Sequence, residues 1–372
     1  MSSAPSSPAT AEPTPVGTAF ERLRTVKLGT VRTAFSAAVY RRSAPRALAW
    51  LAFDATVYAA FVVAAMRADH LVVKFGFGVL AGCAVASLFV WAHDAAHGAL
   101  FSSSAVAEVL GTAAMLPSLN VYRLWVHGHN RVHHGFTSFS PVDWIWRPLT
   151  PAQYRARPAW SRLIYRVERS LLGCPLHYLT KVWWPGMVRF RPDAETRSRH
   201  HFTRSKAITA VFAVQAMVVA WLLGGGAAGA VTAVVVPWLV FNFFIALFVF
   251  LHHTHPQLPF FEDRKQWNAT IGQVACSTVV VMPRLLSALT HHILVHTPHH
   301  VDQRIPFYRL PTAWRQLAAH HGSDVITYRF RWSSVRAIFR DCQLFDFETK
   351  VWSRIGEKTP IRDSSPTPVG SM

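Results

Sequence analysis

Residues 71–97 read LVVKFGFGVLAGCAVASLFVWAHDAAH. The apolar part, Leu71 to Ala92, is long enough to cross a bilayer as a helix, which takes about 20 residues at 1.5 Å each. It runs directly into His93 and His97, which stand four residues apart. On a continuing helix both imidazoles project from one face and can share a metal ion. A membrane span that delivers metal-binding groups at its end sets the terms for the rest of the chain.

Three further stretches are similarly apolar and could also span: Pro45–Met66, the shorter Ala207–Leu223 and Gly229–Leu251. The four form two hairpins, closed by RADH (67–70) and GGGAA (224–228). Asp54 and Lys74 interrupt the first pair. A charge inside a span is costly, so each is expected near an end, facing protein, or snorkelling. Four spans put both chain ends on one side, and the basic residues agree. Of the 38 Lys and Arg, 36 fall in segments 20–46, 121–206 and 252–372, all on that side, leaving only Arg67 and Lys74 near the other. By the positive-inside rule that side is cytosolic.

The expected fold is an all-α integral membrane protein with four transmembrane helices in two hairpins and a cytosolic helical cap. It would be multi-pass in the cell membrane, with both termini and the active site cytosolic. Residues 1–19 are rich in Ser, Pro and Ala and lack the basic start of a secretory signal, so they read as a disordered tail. Residues 20–356 form the membrane domain, and 357–372 a second tail. Ala105–Leu116 and Ala269–Met282 are apolar but less suited to spanning; both are expected to be helices lying in the interface or packed beneath the cap. Trp144, Trp146, Trp183, Trp184 and Trp267 fit an aromatic belt at headgroup level.

The net charge of +19 would suit nucleic acid. No recognition motif accompanies it, and membrane topology accounts for it. Cys83, Cys174, Cys276 and Cys342 are dispersed with no C-x-x-C pair, which leaves a disulfide framework or zinc ribbon unsupported. They are expected as reduced thiols.

Fourteen of the 20 histidines fall in four patches: WAHDAAH (91–97), WVHGHNRVHH (125–134), LHHTHP (251–256) and HHILVHTPHH (291–300). His296, His299 and His300 cover about a 100° arc of a helix. Imidazole suits zinc, copper, iron and nickel, and the absence of clustered Cys removes thiolate sites. Eight or nine histidines exceed the three or four ligands of a single zinc ion and fit two metal ions. Two irons can together cleave dioxygen and take hydrogen from an unactivated C–H bond.

HDAAH, HNRVHH and HTPHH, in this order and placed after the second and fourth spans, resemble the three histidine boxes of the membrane-bound fatty acid desaturase family. FLHHTHPQLP (250–259), HTPHHVDQRIPFYRL (296–310) and the stretch from GFT to VDWIWRPLTP (135–151) are similar to its Δ12-type acyl desaturase branch. The resemblance covers about residues 50 to 312. It implies a non-haem centre of two iron ions held by His93, His97, His129, His133, His134, His296, His299 and His300, with His253 as a ninth ligand. The second box departs from the family pattern. On an ideal helix His134 points roughly 140° away from His129, so either the helix is distorted or His127 contributes instead. His252 and His255 compete with His253.

Asp94 and Asn130 are candidates for orienting the imidazoles, against simple capping or solvation. His291 and His292 read as polar supports, and Asp302 and Tyr308 as supports of the following turn. His70, His177, His200, His201, His320 and His321 match no box and read as ordinary histidines. The implied activity is dioxygen-dependent desaturation of a long acyl chain in an apolar tunnel. No haem-binding His-Pro-Gly-Gly or Gly-rich dinucleotide motif is present, so electrons are expected from a separate donor such as a ferredoxin and its reductase. Hydroxylation, acetylenic bond formation and carotenoid oxidation use the same scaffold. A zinc membrane hydrolase would need a carboxylate base as in H-E-x-x-H, and position 94 is Asp with no Glu. A non-enzymatic lipid-binding membrane protein would explain the charge but not the histidine spacing.

Overall fold

The computed structural model describes residues 15–190 and 199–357. The expected tails fall mostly outside these residues, although the chain is already helical from Pro15 to Thr25. Four helices are long and apolar enough to cross a membrane: Ala44–Arg67, Leu71–Ala96, His201–Leu223 and Ala227–His253. We call them the first to fourth span helices. The most apolar windows of the second and fourth are 39% and 50% buried, against 11% for each of the other two. The second and fourth are therefore the inner pair, and their ends can deliver side chains into a protected centre.

The close fit of that pair is built into the second helix. Gly78 and Gly82 lie one turn apart, and a Cβ at either would collide with Thr232 or with Pro237 and Val240 of the fourth helix. Small residues at this spacing let two helix backbones approach closely where lipid offers no hydrophobic drive for association. Both charged residues inside the spans face protein. Lys74 donates to the carbonyls of Met66 (2.9 Å) and Gly224 (3.0 Å), where the first and third span helices end. Asp54 is buried and lies 2.6 Å from His291 Nε2.

Beyond the spans the chain is mostly helical but not all-α. Thr278–Val281 pairs in parallel with Ile326–Arg329, and Leu344–Asp346 pairs antiparallel with Val351–Ser353. This corrects the expectation for Ala269–Met282. The segment is a short helix, Ala269–Val274, followed by a strand, and is buried from Thr270 to Val280. The β-branched run TVVV suits a strand, and the residues that pair with it arrive some 50 positions later in the chain. Ser104–Met115 does form a helix; extended to Ser118, it makes with Tyr122–Phe136 a pair bent by 100° that together is long and apolar enough to cross a membrane. The aromatic belt is partly corrected as well. Trp144 and Trp184 are exposed, but Trp146 stacks on His177 (ring centroids 4.1 Å apart), and Trp267 donates to the Thr137 carbonyl (2.9 Å) inside the cap.

Candidate metal centre

Four chain segments converge where the inner span helices end. The second span helix delivers His93, with His97 as its C-cap. Tyr122–Phe136 brings His129, His133 and His134, the fourth span helix brings His253, and the short helix His296–Val301 brings His296, His299 and His300. Two groups result. His93, His97, His129, His134 and His299 each offer a ring nitrogen within 4.8 Å of the others, and so do His133, His253, His296 and His300.

His127–His133 is wound as a π-helix rather than an α-helix. Its wider i→i+5 turn brings residues five apart into line. His134 Nε2 accordingly lies 3.1 Å from His129 Nε2, and His129 Nε2 lies 3.1 Å from His93 Nε2. His127 joins neither group; its ring packs beside Phe190 and Phe202. In the third patch His252 stacks on His296 with centroids 3.6 Å apart and belongs to neither group, while His255 stacks on Tyr328.

The donor set fits metal ions. Nε2 atoms face one another across each group: 3.1 Å for His133 and His253, 3.2 Å for His134 and His299, and 2.9 Å for His296 and His300. A neutral imidazole has one donor and one acceptor nitrogen, so converging Nε2 lone pairs cannot satisfy one another. Among the described residues, neither buried ring nitrogen of His97 has a hydrogen-bond partner at ordinary distance. A cation among these lone pairs resolves the conflict. Burial, with neighbouring histidines adding to it, holds His97, His129, His134, His296, His299 and His300 well below the ordinary imidazole range. All six are therefore neutral at pH 7, the form that binds metal.

The outward-facing nitrogens are held by the fold, which fixes each tautomer and ring angle. His93 Nδ1 lies 2.9 Å from Asp94 Oδ1, and Asp94 Oδ2 accepts from the Phe307 amide (2.6 Å). His133 Nδ1 lies 3.0 Å from Asp143 Oδ2, which also accepts from the Ser138 amide (3.0 Å). His253 Nδ1 lies 3.0 Å from the Cys276 carbonyl, and His300 Nδ1 lies 2.9 Å from Gln273 Oε1. Asn130 reaches no imidazole; its amide donates to the Ala96 carbonyl (2.9 Å) beside His97. Asp143 and Gln273 were missed by sequence reasoning. A signal existed for each: Asp143 lies in the family-like stretch 135–151, and Gln273 is an amide in an apolar run.

The remaining residues singled out above have other partners. His291 faces Asp54, and His292 Nδ1 lies 2.8 Å from Ser287 Oγ. Asp302 accepts from Tyr40 and Arg304, and the Tyr308 hydroxyl accepts from the Ser43 amide (2.8 Å), consistent with support of the turn. His321 Nδ1 lies 3.1 Å from Asp324 Oδ2, and the side chain of His200 is outside the described residues.

A cavity of about 370 Å³ runs along the site. His93, His129, His133, His253 and His296 form part of its wall, and Phe89, Phe241, Ile245 and Phe248 make its deeper lining apolar. Exposed Trp144, Lys181 and Pro185 border its other end.

The profile of the fatty acid desaturase family matches residues 69–332. The sn-1 oleoyl-lipid 12-desaturase of a Picosynechococcus species is 28% identical over 300 residues, covering 79% of this chain and 82% of the relative. The corresponding enzyme of a Synechocystis species is 30% identical over 276 residues, covering 72% and 74%. The chloroplastic omega-6 fatty acid desaturase of Brassica napus is 30% identical over 273 residues, covering 72% of this chain and 59% of that longer protein. The chain belongs to the fatty acid desaturase family, and it is an acyl desaturase.

Proposed function

We propose that the protein introduces a double bond, with dioxygen, into a long acyl chain of a membrane lipid, at a centre of two non-haem irons. The observation that carries this is the pair of inward-facing, mostly buried histidine groups on the wall of an apolar cavity. His93, His97, His129, His134 and His299 would hold one iron, and His133, His253, His296 and His300 the other. Neither group includes a carboxylate, which favours redox chemistry over a zinc hydrolase with a Glu base. The irons would supply the power to activate dioxygen against an unactivated methylene.

The protein's own contribution is positioning and exclusion. The aromatic and aliphatic lining aligns an extended acyl chain beside the histidines, and a displaced methylene would lose reaction or change the position of the double bond. Asp94, Asp143, Gln273 and the Cys276 carbonyl keep the Nε2 atoms turned inward. The resemblance to oleoyl-lipid 12-desaturases supports a Δ12-type position and a lipid-borne substrate. Reduction of dioxygen to two waters takes two electrons from the acyl chain and two from outside. The latter would come from a one-electron carrier such as a ferredoxin with its reductase. Charge asymmetry supports insertion of the four helices in the cell membrane with the site and termini cytosolic.

Fatty acids of cells expressing the protein, compared with cells expressing His300→Ala, test this by gas chromatography and mass spectrometry with double-bond localisation. A new unsaturated species that disappears in the variant is expected. A hydroxylated or acetylenic product would move the chemistry sideways on the same centre. Persistence of product in both His299→Ala and His300→Ala would refute the metal assignment.

A further inference from the structure

The helix Ala159–Glu168 faces the wrong way for a water-exposed surface. At 100° per residue, Trp160, Leu163, Ile164 and Val167 share an arc of about 100°. All four point outward, at 68%, 61%, 41% and 40% exposure. The buried residues are Tyr165 and Glu168. Exposed apolar stripes of this kind mark an interaction surface. The pattern continues along the chain through Leu172 (85% exposed), Leu176, Trp184 and Val188, up to the segment that precedes the third span helix.

We propose that this face is a membrane-surface anchor, with Ala159–Glu168 lying in the headgroup layer of the leaflet next to the cavity mouth and bound to anionic lipid. The idea rests on the membrane reading given above but not on the desaturation chemistry. Charge selects the occupant. Segment 151–189 carries Arg155, Arg157, Arg162, Arg166, Lys181 and Arg189, while Arg169 and its one acidic residue, Glu168, are buried. A second copy would bring the same cations against these, whereas anionic headgroups neutralise them while their acyl boundary takes the stripe. Trp160 and Trp184 suit that depth, since an indole is apolar with one polar edge.

The anchor is tied to the cavity. Thr180 donates to Glu168 Oε1 (3.2 Å), and Lys181 Nζ lies 3.8 Å from the same atom. Lys181 and Pro185 border the cavity mouth. Seating the stripe in lipid would hold that mouth at headgroup level.

The test attaches one nitroxide at Leu163→Cys, Arg162→Cys or Val214→Cys in a Cys83→Ser background, because Cys83 is exposed and the other three cysteines are buried. The protein is reconstituted in nanodiscs of phosphatidylglycerol or phosphatidylcholine. Electron paramagnetic resonance then compares collision with oxygen against collision with a water-soluble nickel chelate. Val214, 64% exposed on the third span helix, reports on the membrane reading itself.

We expect the oxygen-to-nickel ratio at residue 163 to exceed that at 162 about fivefold in phosphatidylglycerol, approaching the value at 214. We expect a smaller ratio in phosphatidylcholine, and Arg155→Gln, Arg157→Gln and Arg166→Gln together to erase the difference between lipids. A lipid-exposed label at 214 with a water-exposed label at 163 in both discs would overturn the anchor alone. A water-exposed label at 214 would overturn the membrane reading and the anchor with it. Spin–spin broadening at 163 would assign the stripe to a second copy and also overturn the proposal.

Discussion

The Nε2 atoms of His129 and His134 lie 3.1 Å apart although five residues separate them. An α-helix would send those side chains to different faces; the π-helical turn at His127–His133 lines them up. Rare π-turns inside helices accompany functional sites because they re-aim side chains at a cost in backbone geometry, and here the gain is a shared centre.

That relationship separates His129 from His127. His129→Ala should lower bound iron by about one ion per chain and product on the order of 100-fold, since a donor is lost from a group with few spare ligands. His127→Ala should leave iron content unchanged, because its ring packs beside Phe190 and Phe202 and joins neither histidine group. Plasma mass spectrometry of the purified proteins measures this, and the reverse pattern would assign the ligand to His127.

Asp143 is held by three donors: His133 Nδ1, the Ser138 amide and the Ile145 amide. Asp143→Asn keeps the shape but weakens the bond that fixes the His133 tautomer. A loss of roughly 10–100-fold in iron affinity or turnover is expected. Asn130→Ala, which removes only a bond to the Ala96 carbonyl, should cost less. Equal effects in the two variants would mean that orientation of His133 is not what Asp143 provides.

These two cases show what sequence could carry. The four long apolar helices were legible because mostly apolar runs such as 71–92 and 229–251 leave few alternatives, and most of the candidate site because histidines cluster beside their ends. The π-turn was not legible: ideal geometry argued against His134 and His129 meeting, and only packing selects the wider helix. Nor was the strand Thr278–Val281, since its partner, Ile326–Arg329, arrives from a distant part of the chain. Asp143 finds His133 through a loop whose path no local pattern encodes. The helix Ala159–Glu168 has a helical period, but a period does not say which face looks outward.

Acid should destabilise the metal-free protein. Burial lowers the folded-state pKa of His97, His129, His134, His296, His299 and His300 well below 6.5. Below about pH 6.5 the unfolded chain takes up protons that the folded chain refuses, so stability is full above that value and falls as pH drops through it. Each such group contributes a slope of up to about 1.4 kcal/mol per pH unit. Thermal melting of chelator-treated protein in detergent should therefore fall from pH 7.5 to about pH 5.5, and iron loading should flatten the curve. A melting temperature independent of pH in this window would show that the histidines are not buried as neutral groups.

Lys74 joins two helix ends through the Met66 and Gly224 carbonyls, with the Ala65 carbonyl at 3.4 Å. Lys74→Met removes the ammonium and leaves these acceptors without it in a buried place. A loss of about 1–3 kcal/mol is expected, read as a lower melting temperature by size-exclusion chromatography after heating. Turnover per folded molecule should change little, because Lys74 lies at the opposite end of the second span helix from His93. A variant as stable as the parent would mean the carbonyls find other donors.

Chain length should be set at the deep end of the cavity. Ala86 is seven residues before His93, so it lies about 10 Å further into the span along the helix axis. It lines the cavity there with Phe241 and Ile245. Ala86→Phe puts a ring where the far part of an extended acyl chain would run. Because the reacting methylene is fixed by the histidines, a shortened space beyond them excludes long substrates or shifts which carbon is presented. Product analysis on a mixture of acyl chains should then show a change in length or double-bond position, with total iron unchanged. If the products of Ala86→Phe match those of the parent in both respects, the acyl chain does not pass Ala86, and the cavity does not measure chain length from that end.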